Sequence, residues 1–216
     1  MNELLSGLVT GPTLTSYVET MSLRDHDDLA DIQNIATKYA DESKYRYADS
    51  DDWFTDYLQA MDNFGWITNG YFNELTLNDV TMSLADYVVW MIKDPVEKNA
   101  MIDTFDSLKL NNPALLSLGE ESGEGQSLQV IPAKYDSRGN LSIMIIQVQL
   151  FSETKNGNFL FWNWENRSAK IVRRTAHLVL DREKLEHWRP RLNELINKFR
   201  MSRFALRKRN SVIESL

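Results

Sequence analysis

Apolar positions in the first half of the chain recur every three to four residues. Leu29, Ile32, Ile35 and Ala36 fall on one face of a helix predicted over residues 24–40. Its first turn is crowded with Asp25, Asp27 and Asp28, where carboxylates favour the positive end of the helix dipole. A second helix is predicted to start after Asp51 or Asp52, because Asp is a good N-cap and Trp53, Tyr57, Leu58 and Met61 follow at helical spacing. Gly65 ends it. Leu84, Tyr87, Val88 and Met91 mark a third helix over 81–92, and Pro95, suited to a first helical turn, opens a fourth over 95–108.

Between Asn111 and Gln126 this periodicity stops. Asn111-Asn112-Pro113 and the run from Gly119 to Gly125 read as a polar flexible connector. Beyond it the period falls to two. Leu128–Ala133, Leu141–Phe151, Phe159–Trp164 and Lys170–Leu180 are rich in β-branched and aromatic residues and are separated by turn signals at 136–140, 155–158 and 165–168. They read as a four-stranded antiparallel meander. Met144, Ile146, Val148 and Leu150 form one apolar face of 141–151, while the other mixes Ile143 and Ile145 with Gln147 and Gln149, a face expected to be half covered. Both faces of 159–164 are apolar, which places that strand centrally, with the helical first half over one side of the sheet and the C-terminal helix over the other.

The last predicted element is an amphipathic helix from Asp181 to about Arg209, with Leu185, Trp188, Leu192, Leu195, Ile196 and Phe199 as its apolar stripe and basic residues around it. Pro190 lacks the amide proton an interior turn uses, so a kink or a second start is expected there. The resulting fold class is α+β: an N-terminal helical layer, a four-stranded antiparallel β-meander and a long basic C-terminal helix. The chain reads as one domain, 1–216, with a mainly helical acidic half at 1–110, the connector at 111–126 and a basic sheet-plus-helix half at 127–216.

Composition adds limits. With 216 residues, 43% of them hydrophobic, the chain can bury a full core. It has no Cys, which removes disulfides, thiolate nucleophiles and Cys-based metal sites. The N-terminal stretch lacks the basic start of a secretory signal, and no run approaches the ~20 apolar residues of a spanning helix. The protein is therefore expected to be cytoplasmic as synthesised, with export lacking a cleaved signal peptide left open.

Charge changes the picture most. Residues 1–125 carry 23 Asp and Glu against 7 Lys and Arg, and residues 126–216 carry 8 against 17. Either two layers face each other with complementary fields, or the basic end docks on something anionic. The candidate docking residues are Arg173, Arg174, Trp188, Arg191, Arg200, Arg203, Arg207, Lys208 and Arg209, facing a protein partner or an anionic membrane surface. Nucleic acid is disfavoured by the overall charge of −7. Phe161, Trp162 and Trp164 form a candidate aromatic groove, or else part of the core.

Motifs that would fix a reaction are missing. There is no Gly-x-Ser-x-Gly elbow, phosphate loop or dinucleotide-binding glycine run, and the only glycine cluster carries Glu120, Glu121 and Glu124, which repel phosphate. Asp49-Ser50-Asp51-Asp52 begins like a calcium loop but has Phe54 where Gly is required and Ala60 where a bidentate Glu belongs. His26 lies among carboxylates that do not share a helix face with it, and the Glu183–His187 pair has no counterpart. No metal and no cofactor are expected. The sequence points first to a non-enzymatic interaction protein, a bacterial effector or toxin-like factor. One alternative is a membrane-active protein exposing the 141–164 hairpin, and another is a hydrolase using carboxylates with His177 or His187.

Overall fold

In the computed structural model, residues 5–18, 20–69, 73–123, 125–151, 159–161, 169–199 and 202–208 are described. They form eight strands and six helices: β1 (Leu5–Thr10), β2 (Thr13–Tyr17), α1 (Leu23–Ser43), α2 (Ser50–Asn63), β3 (Trp66–Thr68), β4 (Asn73–Val80), α3 (Leu84–Met91), α4 (Pro95–Lys109), α5 (Asn112–Ser122), β5 (Leu128–Tyr135), β6 (Leu141–Phe151), β7 (Ala169–Leu180), α6 (Arg182–Lys198) and β8 (Arg203–Arg207). The class is α+β, but the sheet is not the expected four-stranded antiparallel meander. It is an eight-stranded mixed sheet in the order β3-β7-β6-β5-β2-β1-β8, with β4 also pairing along β7.

Only β5, β6 and β7 keep the meander pattern, each antiparallel to its neighbour. The N-terminal hairpin β1–β2 supplies the rest of the centre. Its β2 runs parallel to β5, with Thr13 opposite Gln129 and Tyr17 opposite Ala133. A parallel pair requires a long crossover, and all of α1 to α5 lies between these two strands.

Side-chain alternation along the strands divides the core in two. Ile131, Ala133, Leu141, Ile143, Ile145, Ala176, Leu178 and Leu180 pack under α1, α2 and α6. Val130, Ile146, Val148, Leu150, Ala169 and Ile171, their neighbours on the opposite face, pack under α3, α4 and α5. The C-terminal helix therefore shares a layer with α1 and α2 and does not cover the far side as expected. Trp53, Phe54 and Tyr57 of α2 are completely buried in the first core. Burial of each such side chain contributes roughly 1.5–3 kcal/mol before cavity effects.

Four further expectations are corrected. The connector at 111–126 is largely α5, because Asn111 caps it by accepting from the Ala114 amide, Pro113 fits its first turn, and Gly123 closes it at φ 59°. Residues 159–161 form a turn, not the start of a central strand; the rest of that predicted strand, 162–168, lies outside the described residues. The C-terminal helix ends at Lys198, and 203–207 form an edge strand against β1. Pro190 leaves α6 unbroken, with Leu185 and Leu192 anchored on either side of it.

Under α1 and α2 the sheet carries a row of polar side chains that crosses six strands in register. Thr10 faces Thr13, Thr13 faces Gln129, Gln129 faces Gln147, Gln147 faces Arg174, and Arg174 faces Glu74. Thr10, Thr13, Gln129, Gln147 and Arg174 are all buried, so the face expected to be half covered is fully enclosed. Among the described residues, no helix is long and apolar enough to cross a membrane.

Candidate functional site

The acidic and basic halves meet along α1. Asp25, Asp28 and Asp31 are spaced three apart, so they descend one face of that helix. Arg182 and Arg189 of α6 and Arg203 of β8 answer them in turn. Arg182 makes two contacts with Asp25, at 2.9 and 3.0 Å, and the Arg189 guanidinium grips both oxygens of Asp28. Forked contacts of this kind are the strong form of the ion pair. Burial works to raise the Asp25 pKa, but hydrogen bonds from Arg182, Tyr135 and Ser22 outweigh it and hold the carboxyl at about 2.

Why α6 lies here is local. Asp181 caps it by accepting from the Lys184 amide, and the Asp181 amide donates to the Gly65 carbonyl at 2.8 Å. Gly65 has φ 93°, and a Cβ there would stand 2.6 Å from the Asp181 oxygen, so only glycine joins the end of α2 to the start of α6 this closely. Lys184 adds a 3.1 Å bridge to Asp62.

The predicted docking residues scatter. Arg173 and Arg174 are consecutive on a strand and so point to opposite faces. Arg173 donates to the Tyr87 hydroxyl at 3.2 Å on the α3 side. Arg174, 4% exposed, is held by Glu74, Asp51 and Gln149 on the α2 side. Both serve the interior. Arg203 is taken up by Asp31, Lys208 by Asp103 at 2.8 Å, and the Arg207 carbonyl accepts from Ser107. Arg200 and Arg209 lie outside the described residues. Of the aromatic groove, Phe161 packs edge-on against Phe105, under the Lys109 ammonium; Trp162 and Trp164 lie outside the described residues.

Trp188 and Arg191 remain on the outer edge of α6. Trp188 is 44% exposed, and Arg191, among the described residues, pairs with its helical neighbour Glu194, both well exposed. They border a groove of about 460 Å³ between α1, α2 and α6. Ile35, Ala60, Phe64, Leu195 and Phe199 make its apolar lining; Tyr39, Glu42, Asn63 and Lys198 complete the rim. The Lys198 ammonium sits 4.8 Å from the Phe199 ring centroid. Sequence reasoning found the α6 wall of this groove through its stripe but not the α1 and α2 walls. Tyr39, exposed on α1 and outside the stripe read there, was the one local sign.

The histidines do not converge. His26 is buried, stacked on Tyr17 at 4.0 Å, with neither ring nitrogen hydrogen-bonded among the described residues. Burial lowers its pKa against the pull of Asp27 and Asp25. His177 projects to the α3–α5 side of β7, where burial and then Lys134 lower its pKa. His187 stands edge-on to Trp188 on the opposite side of the sheet. Lys134 bridges Asp94 and Glu97 at 2.7 and 3.5 Å, and Glu97 is nevertheless raised by burial. Among the described residues, no group of three or more His, Asp or Glu side chains is placed to hold a metal ion.

The sequence matches no protein-family model and none of the curated proteins. Weak structural neighbours are a virulence factor and an endotoxin. The Evf virulence factor aligns over 92% of this chain and 85% of its own at 11% identity and a TM-score of 0.42. A delta-endotoxin aligns over 79% and 83% at 10% identity and a TM-score of 0.44.

Proposed function

We propose that this chain is a non-enzymatic interaction protein, a bacterial effector or toxin-like factor, that docks on an anionic membrane surface through the outer edge of α6. Trp188 carries the reading. It is an amphipathic ring left 44% exposed on a helix whose Leu185 and Leu192 are fully seated, and Arg191 stands one turn away. Trp beside a cation is the combination that suits a lipid headgroup boundary. The neutralised arginines Arg182, Arg189 and Arg203 hold α6 and β8 in place and leave the contact to Trp188 and Arg191, with Lys198 added.

The test is co-sedimentation with neutral and anionic vesicles across a salt series, for the wild type and for Trp188→Ala and Arg191→Glu. Expected is binding that requires anionic lipid, fades with salt and drops in both variants. Wild-type protein that stays in the supernatant with anionic vesicles at low salt would remove the reading. Release of a trapped dye on binding tests the toxin-like component.

A further inference from the structure

The groove beside Trp188 is more than an edge. We infer that it is a binding site for a single-chain fatty acid, with the aliphatic chain between α1, α2 and α6 and the carboxylate at Arg191 and Lys198. This rests on the reading that the outer edge of α6 meets lipid, and it names which part of a lipid the edge would take.

Four observations support it. The volume of about 460 Å³ falls within the roughly 300–1,000 Å³ of small-molecule sites. Ile35, Ala60, Phe64, Leu195 and Phe199 give the groove apolar side chains on each of its three helices, beneath a polar rim, and offer a chain dispersion contacts on three sides. Of the charged groups on the lining itself, Arg191 and Lys198 stand on the α6 side and Glu42 on α1, while Glu194, outside the lining, pairs with Arg191; an anionic head that takes the place of Glu194 is drawn to α6. Both cations are also available. Among the described residues Arg191 is held by the exposed Glu194, a pair of the weak surface kind, and Lys198 rests against the Phe199 ring. A carboxylate close to both would displace these contacts. An acyl chain would also shield Trp188 and the Tyr39 ring, 52% exposed, from water.

Calorimetric titration with laurate below its micellar concentration, alongside dodecylamine, dodecanol and acetate, tests the inference. Laurate is expected to bind once per chain, dodecylamine about tenfold or more weakly, and acetate not at all. Asn63→Trp, which fills the groove from an exposed position, should abolish laurate binding while the thermal transition stays in place. Arg191→Glu with Lys198→Glu should weaken laurate about tenfold and bring dodecylamine level with it. Laurate should also change the tryptophan fluorescence, and Trp188→Phe should remove that change without removing the heat. Absent laurate binding, or equal binding of laurate and dodecylamine, would overturn the inference; so would laurate binding unaffected by Asn63→Trp. Vesicle docking that persists without laurate binding would leave the membrane reading standing. Laurate binding without vesicle docking would remove that reading and leave a fatty-acid site.

Discussion

Asp25 and Arg182 are 157 residues apart in the sequence and meet in a forked contact at 2.9 and 3.0 Å. That contact is the first of three rungs along α1 that pair acidic residues of the first half with basic residues of the second. The separation of charge along the chain therefore serves first to fasten α6 and β8 to α1.

Removing one member of the rung should show this. The Asp25 side chain is 3% exposed, so Arg182→Ala leaves a buried carboxylate with Tyr135 and Ser22 as its remaining partners. The expected loss is about 1–3 kcal/mol, read as a lower urea midpoint. A double-mutant cycle with Asp25→Asn should return a coupling of at least ~1 kcal/mol. Additive effects would mean the rung contributes nothing of its own.

Acid should weaken the fold in two stages of opposite chemical origin. His26 is a base whose pKa is lowered in the folded state; the unfolded chain takes up its proton first, so stability falls as pH drops below about 6.5. Asp25 is an acid held at about 2; its contribution is present above about 4 and is lost as pH falls from there toward 2. Replacing His26 by Phe, which keeps a ring on Tyr17, should reduce the first stage to the share of His177, also lowered in the fold, and leave the second. Melting temperatures across the pH range separate them, and an unchanged first stage would exclude His26 as its source.

The polar row predicts a substitution that helps. Gln147 is completely buried, and neither of its amide atoms has a hydrogen-bond partner among the described residues. Gln147→Leu should be neutral or stabilising by up to about 2 kcal/mol, because it removes a desolvated amide of similar size. Arg174→Leu, in contrast, strips Asp51, Glu74 and Gln149 of a shared partner and should destabilise. If Gln147→Leu costs as much as Arg174→Leu in chemical denaturation, the row is cohesive and this assignment is wrong.

Gly65→Ala should be costly for a residue with so little to lose. Its φ of 93° and the 2.6 Å approach of a new Cβ to the Asp181 carbonyl both oppose a side chain. The expected penalty is about 1–3 kcal/mol, and hydrogen exchange should show the first turn of α6 loosening before the rest of the molecule. Uniform destabilisation would argue that Gly65 does not specifically anchor α6.

Helices were legible where their signals were local. Asp94 caps α4 ahead of Pro95, and Ser22 and Ser83 cap α1 and α3 within one turn of their stripes. The strands β5, β6 and β7 were legible through their β-branched runs. One helix with local signals was missed: α5, bounded by Asn111, Pro113 and Gly123, read as a connector because Gly119 and its polar neighbours masked its short apolar face. The rest that escaped was pairing at a distance. The hairpin at 5–17 has a turn at Gly11-Pro12, but its partner strands are β5 and β8, far downstream. Arg203-Phe204-Ala205-Leu206-Arg207 alternates about a buried Leu206, yet the basic residues on both sides extend the preceding helical pattern without a break. Gln147 and Gln149 read as positions on a half-covered face, because nothing near them in the sequence announces that Ser50 and Arg174 close over Gln149. Of the candidate site, Trp188 and Arg191 could be read from their places on α6. The groove could not, since its other walls come from two helices more than a hundred residues earlier in the sequence.

The place of β1 and β2 in the sheet sets an order of events during synthesis. Both strands leave the ribosome early, but one neighbour of the hairpin is β5 and the other is β8, and the Ser6 hydroxyl reaches the Leu206 carbonyl across 200 residues. Until β5 and then β8 emerge, the nascent chain holds a two-stranded ribbon with apolar side chains on both faces; β5 covers the β2 edge first, and the β1 edge waits for β8. Such a ribbon is marginal by itself and is a template for pairing with other chains. Completion of the sheet therefore waits for β8, and the interval before it is when the β1 edge is most open to pairing with other chains.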